Sequence, residues 1–514
     1  MKGTAPSSTA PRSAESPSAA FARTLVVGLG VSGRAVCELL CLRGVEVTGT
    51  DLSPEATLRN LLVPLESLGC RFHLGSHREE DFLSVDQIVV SPGVPLDLPP
   101  LRAAAERGIE IVGELEWAWR QANVPTVAVT GTNGKTTTTQ LVGELLRASG
   151  KRVFVGGNIG VPLTRWLLDR VRRARSEENF ETVPGIDAEL LVLEVSSFQL
   201  DTARTFAPDI AVLLNVTEDH LDRYESFAHY ADSKFSIFSR QSKNQVGILN
   251  GDDSVCREGI ERVPGRRFTF SRKDPRADAF VRDRRVRISL PGRDSFCLDL
   301  TGCPLQGIHN EENILAAALA AACAGGSPAA MQDRLNNVRP MPHRMESIRM
   351  WRGVEFVNDS KGTNVGAVVK ALENFHRPVW LLMGGRDKRG SYEPLRRPME
   401  AKVRGVLAFG EAGPRIAKAV GNWVAAAVYE GLEEAFRAAA AGAKPGDVVL
   451  LSPACSSFDQ YRSYGERGDH FKALVWALSD ESKGSRIAGD GPPAGAACCQ
   501  GSPRSGANGL RGVG

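Results

Sequence analysis

The chain has 514 residues, 42% hydrophobic and 24% charged, the balance of a globular protein that can bury substantial cores. At roughly 100–200 residues per domain, that length predicts about three domains. With 63 basic against 60 acidic residues the net charge is +3, which gives no argument for nucleic acid or an anionic membrane as partner, and no apolar run of about 18 residues exists to span a bilayer.

Residues 1–22 are rich in Ser, Pro and Ala, lack the apolar centre of a secretory signal, and are expected to form a disordered tail. The ten cysteines have no framework spacing, which predicts reduced thiols and a cytoplasmic protein. Cys37 and Cys41 can share a helix face, where packing is the expected role rather than metal.

The apolar run 24–27 precedes Gly28-Leu29-Gly30-Val31-Ser32-Gly33, then a helical stretch to about residue 43 and a second strand at 45–48 ending near Asp51. Strand, glycine turn, helix, strand is the opening of a doubly wound sheet. The turn fits a dinucleotide or any other nucleotide diphosphate, so a nicotinamide enzyme stays open at this point. A further strand at 87–90 ends at Ser91-Pro92-Gly93, and this Rossmann-like unit is expected to cover 23–113.

The second unit, expected at 114–337, begins with a strand at 126–129 and a helix from about 137 to 148. Between them lies the strongest chemical signal, Val129-Thr130-Gly131-Thr132-Asn133-Gly134-Lys135-Thr136-Thr137. Small residues let backbone N–H groups approach phosphate oxygens, and the helix N-terminus favours anions. Lys135 would hold the terminal phosphates and the Thr136 hydroxyl would reach Mg²⁺. Val129 stands where the usual pattern has glycine, so the loop is a shortened variant of the P-loop. Glu194 and the segment Asn215-Val216-Thr217-Glu218-Asp219-His220 each follow an apolar strand run, where open α/β sheets place ligand-binding groups. Ser196 and Ser197 lack the elbow of a serine hydrolase. Residues 170–185 read as a charged surface insertion, and 314–323 as a core helix.

The third unit, expected at 338–484, alternates strand and helix patterns. Three polar clusters follow its strands: Asn358-Asp359-Ser360-Lys361-Gly362-Thr363-Asn364, Gly384-Gly385-Arg386-Asp387-Lys388, and Ser452-Pro453-Ala454-Cys455-Ser456-Ser457-Phe458. Gathered at one cleft, they suggest a site for an acidic small molecule. Residues 485–514, dominated by Gly, Ala, Ser and Pro, are expected to be a second disordered tail.

These motifs, with Gly156-Gly157-Asn158-Ile159-Gly160, Glu194-Val195-Ser196-Ser197-Phe198-Gln199-Leu200, Gly307-Ile308-His309-Asn310 and Pro342-His343-Arg344, resemble in order those of the Mur ligase family. Within it they are most similar to the member that adds D-glutamate. The resemblance implies three α/β domains, Rossmann-like, P-loop ATPase-type and Rossmann-like. It implies ATP and Mg²⁺, a UDP-N-acetylmuramoyl-L-alanine substrate, and an acyl phosphate that D-glutamate attacks. It also implies roles by position. Lys135, Glu194, His220 and Lys234 match catalytic positions; Thr136, Glu194, His220 and Lys234 match the metal-linked set, with Lys234 as a carbamate. Gly131, Thr132, Asn133, Gly134, Lys135, Thr136, Thr137, Asn310, Asn313, Arg344 and Asp359 match the ATP set. Ser32, Asp51, Ser91, Gly93, Asn158 and Gln199 match UDP-substrate positions. Lys361, Thr363, Lys388, Ser457 and Phe458 match positions around D-glutamate. Leu52-Ser53 departs from the polar pair usual beside the uracil. A monomer is expected.

Overall fold

The computed structural model describes residues 21–175, 183–221, 223–387 and 390–479. The two terminal tails, much of the expected insertion, and Lys388 therefore lie outside the described residues, wholly or nearly so. Three sheets carry the fold. The first has five parallel strands in the order Arg71–Leu74, Glu46–Asp51, Arg23–Val27, Gln87–Val90, Glu110–Gly113. Its order reverses beside Arg23–Val27, so the glycine turn after that strand opens at a topological switch point, where such sheets bind ligands.

The second sheet runs Phe296–Asp299, Arg285–Ile288, Ala279–Arg282, Arg266–Ser271, Val246–Asn250, Ile210–Leu213, Thr126–Thr130, Leu190–Glu194, Val153–Gly157. Thr126–Thr130 is buried at every position, as a central parallel strand must be, and pairs with Leu190–Glu194 on one side and Ile210–Leu213 on the other. The phosphate loop, Glu194 and the Asn215 segment thus leave three adjacent strands at the same edge. The helix Ile308–Cys323, Ala/Leu-rich and buried from Asn313 to Ala322, packs against Lys135–Ala148. Its small side chains allow that close approach.

The third sheet runs Glu346–Trp351, Val354–Asn358, Val448–Ala454, Val379–Gly384, Val403–Phe409, Ala426–Tyr429, and all its pairings are parallel except the first. The three polar clusters leave the carboxyl ends of its three adjacent strands Val354–Asn358, Val448–Ala454 and Val379–Gly384.

The first and central domains share one apolar core, in which Val26 and Leu39 join Trp117, Trp166, Leu193 and Phe206. The helix Glu114–Ala122 links them and buries two carboxylates. Glu114 accepts from the Thr164 N–H and hydroxyl, and Glu116 accepts from the Thr205 N–H and from Arg120. Those bonds offset part of the cost of burying charge; burial still holds the Glu114 carboxyl above its ordinary value, and one Glu116 oxygen has no partner.

Some sequence expectations shift. Residues 170–174, read as part of an insertion, are the last turns of the helix Leu163–Ala174, and Asp169 on that helix accepts from the Val183 N–H beyond the undescribed stretch. Cys37 and Cys41 do lie on one helix, and both touch Cys70; all three thiols are free.

Candidate active site

The phosphate loop is shaped by what crowds it. Gly131 has φ +149° and a Cβ there would meet the Leu214 side chain at 2.9 Å. Gly134 has φ +85°, and a Cβ would meet Asn313 Oδ1 at 2.3 Å, so glycine there lets the helix Ile308–Cys323 bring Asn313 against the loop. The Asn133 N–H donates to Asn215 Oδ1 (2.8 Å), and the Thr132 hydroxyl donates to the Thr217 carbonyl (3.1 Å). Lys135, opening the helix Lys135–Ala148, turns back: its ammonium donates to the carbonyls of Gly131 and Thr132, each at 2.8 Å. Lys135 is half-buried, held by its own loop.

Glu194 ends its strand 2% exposed. One carboxylate oxygen accepts from Asn158 Nδ2 (2.9 Å), and the other is buried with no hydrogen-bond partner. Asn158 comes this close because Gly157, at φ +100°, leaves no Cβ to strike the Glu194 carbonyl. His220 sits at φ +55°, its ring 4.9 Å from Phe198 in an edge-on contact, with Nε2 3.7 Å from Asp219. Lys234, on the helix Phe227–Phe235, is 1% exposed. Its amine donates to the Gly131 carbonyl (2.9 Å) and lies 4.6 Å over the Tyr230 ring. Burial, followed by the nearby Lys135 charge, holds this amine well below the usual lysine range, against the pull of Asp219, Asp201 and Glu194.

A cavity of about 540 Å³ lies between the central and third domains. Of the residues singled out from sequence, it brings together Thr132, Asn133, Gly134, Lys135, Thr136, Thr137, Asn158, Glu194, His220, Asn310, Asn313, Arg344, Asp359, Lys361 and Thr363. Arg344 stands within electrostatic reach of both Glu194 and Asp359. Burial pushes the Asp359 carboxyl up to about 7, although the Ser452 hydroxyl donates to it at 2.8 Å. Lys361 lies 3.8 Å over the Tyr464 ring.

Other expected residues are elsewhere. Gly131, within the loop, and Lys234, bonded to its carbonyl, are not part of the cavity wall. Gln199 closes a capping box with Ser196 at the start of the helix Ser197–Leu200, and its side chain is buried. Ser457 is 2% exposed and Phe458 62% exposed, both outside the cavity wall. Ser32, Asp51, Ser91 and Gly93 gather at the carboxyl edge of the first sheet. There the Ser91 hydroxyl donates to the Gly28 carbonyl (2.7 Å), and Asp51 accepts from the N–H groups of Leu29 (2.7 Å) and Ser53 (2.8 Å). Burial alone would raise the Asp51 carboxyl, but these backbone donors hold it below its ordinary value.

Asn364 was passed over in the sequence as one member of a cluster. It caps the helix Val365–Glu373 by accepting from the Ala367 N–H, and its amide donates to Asn133 (3.0 Å) and Asp219 (3.1 Å) across the cavity. Asn before an apolar helical run was a readable cap signal; its partners more than a hundred residues away were not.

A phosphate loop facing polar turns of another α/β domain, with a second nucleotide-type turn in the remaining domain, defines a three-domain nucleotide-dependent enzyme class. Residues 22–113 match the MurD-like N-terminal domain of Mur ligases, 129–321 the Mur ligase middle domain, and 343–455 the Mur ligase glutamate ligase domain. The chain is 44% identical over 459 residues to the UDP-N-acetylmuramoylalanine–D-glutamate ligase of Desulfosudis oleivorans, covering 89% of this chain and 97% of that one. The enzyme of the same name from Geotalea daltonii is 41% identical, covering 89% and 98%. Among solved structures, the UDP-N-acetylmuramate–alanine ligase of Thermotoga maritima superposes with a TM-score of 0.54 at 18% identity, covering 89% of this chain and 99% of that one, which bears on the fold alone. The chain belongs to the Mur ligase family.

Proposed function

We propose that this protein is the ATP-dependent ligase that joins D-glutamate to UDP-N-acetylmuramoyl-L-alanine in peptidoglycan synthesis. The observation that carries the reading is a cavity in which the phosphate loop faces the Asn358–Asn364 turn of the third domain. Relatives that carry this enzyme's name share more than two-fifths of their residues with the chain over nearly their whole length.

A carboxylate is a poor acyl donor, being anionic and without a good leaving group. One of its oxygens attacks the γ-phosphorus of ATP, the bond from that phosphorus to the β–γ bridging oxygen breaks, and ADP departs. The amine of D-glutamate then attacks the acyl phosphate carbon, loses a proton, and the C–O bond to phosphate breaks. The loop N–H groups and Lys135 hold phosphate oxygens and stabilise the charge that shifts among them. Lys135 would exchange the carbonyls of Gly131 and Thr132 for phosphate. Thr132, Asn133, Gly134, Thr136, Thr137, Asn310, Asn313, Arg344 and Asp359 complete the ATP site in this reading. Ser32, Asp51, Ser91, Gly93, Asn158 and Gln199 serve the UDP-linked substrate, and Lys361, Thr363, Lys388, Ser457 and Phe458 serve D-glutamate.

The residues present suit Mg²⁺. The unpartnered, buried Glu194 oxygen is a hard anionic donor, and Thr136 lines the same cavity. Among the described residues no three His, Cys, Asp or Glu side chains form a metal cage by themselves. Mg²⁺ is commonly bound by one or two carboxylates together with substrate oxygens. Glu194 and Thr136 would hold one ion, with His220 and a carbamylated Lys234 at a second. Bound there, magnesium would neutralise charge on the phosphates. The low basicity of Lys234 supports a carbamate, since the neutral amine is the form that adds CO₂.

In this reading the protein works as a monomer, and the fuel and UDP-linked substrate suit the cytoplasm. No helix among the described residues is long and apolar enough to cross a membrane. The test is ATP-dependent coupling of a panel of amino acids to UDP-N-acetylmuramoyl-L-alanine. Turnover with D-glutamate is expected; preference for another amino acid would overturn the assignment.

A further inference from the structure

Arg467 drew no attention in the sequence, and it is among the largest fully buried side chains of the protein, at 0% exposure. It projects from the helix Tyr464–Trp476 beneath the third domain's polar turns. Its Nε donates to the Ser360 hydroxyl (3.0 Å) and its Nη2 to the carbonyls of Ser360 (2.9 Å) and Cys455 (3.2 Å). Its Nη1 donates to the carbonyls of Gly384 (3.3 Å) and Ser456 (3.4 Å). One guanidinium therefore holds the turns after three adjacent parallel strands, using the rigid fork that only arginine offers.

Two further features make this clamp informative. First, every oxygen it meets is neutral, and no ion pair to Arg467 is found among the described residues. The Asp459 and Asp359 carboxylates favour its charge only from beyond ion-pair distance. Burial draws the guanidinium down to about 10, still charged at neutral pH. Second, the clamped turns lead directly into Lys361 and Ser457, and Gly385 is packed so tightly that a Cβ there would meet the Ser456 carbonyl at 2.1 Å. The same helix supplies Tyr464, whose ring lies under the Lys361 ammonium. Spacing between the turns, and the seat of Lys361, both depend on this helix.

We propose that Arg467 is the positioning residue of the acceptor pocket: it fixes the spacing of the three turns that receive the amino acid. The inference rests on the reading of the third domain as the acceptor domain.

Arg467→Lys keeps a positive charge but cannot bridge three turns. Two measurements separate the roles. Acyl phosphate made from ATP and UDP-N-acetylmuramoyl-L-alanine without amino acid is trapped with hydroxylamine, and KM for D-glutamate is measured in the full reaction. The expected result is a D-glutamate KM raised roughly tenfold or more, with trapped acyl phosphate within about twofold of the unaltered enzyme. An unchanged KM overturns the proposal. So does a parallel fall in both activities, which marks a general structural role. Should Arg467→Lys fail to fold, Ser360→Ala removes one acceptor of the clamp. A rise in D-glutamate KM alone supports the proposal, and an unchanged KM refutes it. Unaltered enzyme that forms acyl phosphate yet ignores D-glutamate would instead sink the acceptor reading.

Discussion

Replacing Lys234 by methionine separates a chemical role from a packing role. The side chain is fully enclosed, and methionine keeps an unbranched chain of similar volume. The loss is one hydrogen bond to the Gly131 carbonyl, about 0.5–1.5 kcal/mol. Against it stands the relief of no longer burying an amine beside Lys135. The two nearly cancel, so thermal stability should move by only a few degrees. Alanine would leave a cavity costing about 2–5 kcal/mol, which is why methionine is the cleaner probe. If Lys234 works as a carbamate, its neutral amine adds CO₂ with loss of a proton and yields an anionic oxygen donor. Lys234→Met then loses that donor, and phosphate release should fall about 10²–10³-fold with the fold intact. Lys234→Ala should recover part of its activity with a short carboxylic acid in the vacated space, and ¹³C-bicarbonate should give a carbamate NMR signal in the unaltered enzyme. Near-normal turnover of Lys234→Met, or an unmodified lysine in active magnesium-bound enzyme, would refute the reasoning while leaving the ligase reading in place.

Lys135→Ala should reduce acyl-phosphate formation about 10²–10³-fold with unchanged circular dichroism, because its ammonium sits in the phosphate loop on the carbonyls of Gly131 and Thr132; near-normal phosphate release would mean the loop is not the fuel site. D-Glutamate should be used in preference to L-glutamate and diaminopimelate, and equal turnover of L-glutamate would contradict the acceptor assignment. The full chain should bind UDP and not NADH at the Gly28 turn, as measured by calorimetry; tight NADH binding without UDP binding would favour a dehydrogenase. Asp359, raised by burial to about 7, favours folding below its unfolded value near 4, and that contribution is lost as pH rises through 7. The melting temperature of the unliganded protein minus that of Asp359→Asn should therefore fall between pH 5 and 8, by an amount worth at most about 4 kcal/mol. Parallel pH profiles would show that Asp359 keeps an ordinary carboxyl.

Contiguous chemistry was legible in the sequence, and chemistry assembled across the chain was not. The phosphate loop, the strand-end position of Glu194 and the three α/β units follow from local pattern and glycine placement. Hydrophobic period missed the antiparallel strands Arg285–Ile288 and Phe296–Asp299, although Val286 and Ile288 alternate with arginines and are fully buried. Four residues are too few for the period to stand out. The Ser196–Gln199 capping box was present as a Ser-x-x-Gln pattern and was overlooked in favour of substrate binding. Lys234 reads locally as an ordinary helix lysine; its burial depends on Gly131 and Tyr230 packing around it. Arg467 is likewise defined by carbonyls from three separate turns.

The two domain seams differ in kind, and that difference bears on how the reaction can be ordered. First and central domains meet through a shared apolar core, reinforced by an Arg172–Glu38 ion pair. Opening that seam would expose large aromatic side chains, at roughly 25 cal/mol for each Å². Among the described residues, no apolar core cluster joins the central and third domains. Polar contacts join them: Asn364 to Asn133 and Asp219, and Lys370 to Glu312 at 3.3 Å. Each such bond is worth about 1 kcal/mol and is readily exchanged for water. The central–third seam is therefore where geometry changes at least cost. It is also the seam that holds the cavity, and Asn364 there touches the phosphate loop through Asn133. Phosphates seated on that loop would meet the Asn364 contact directly, so nucleotide binding and the approach of the acceptor domain share one side chain.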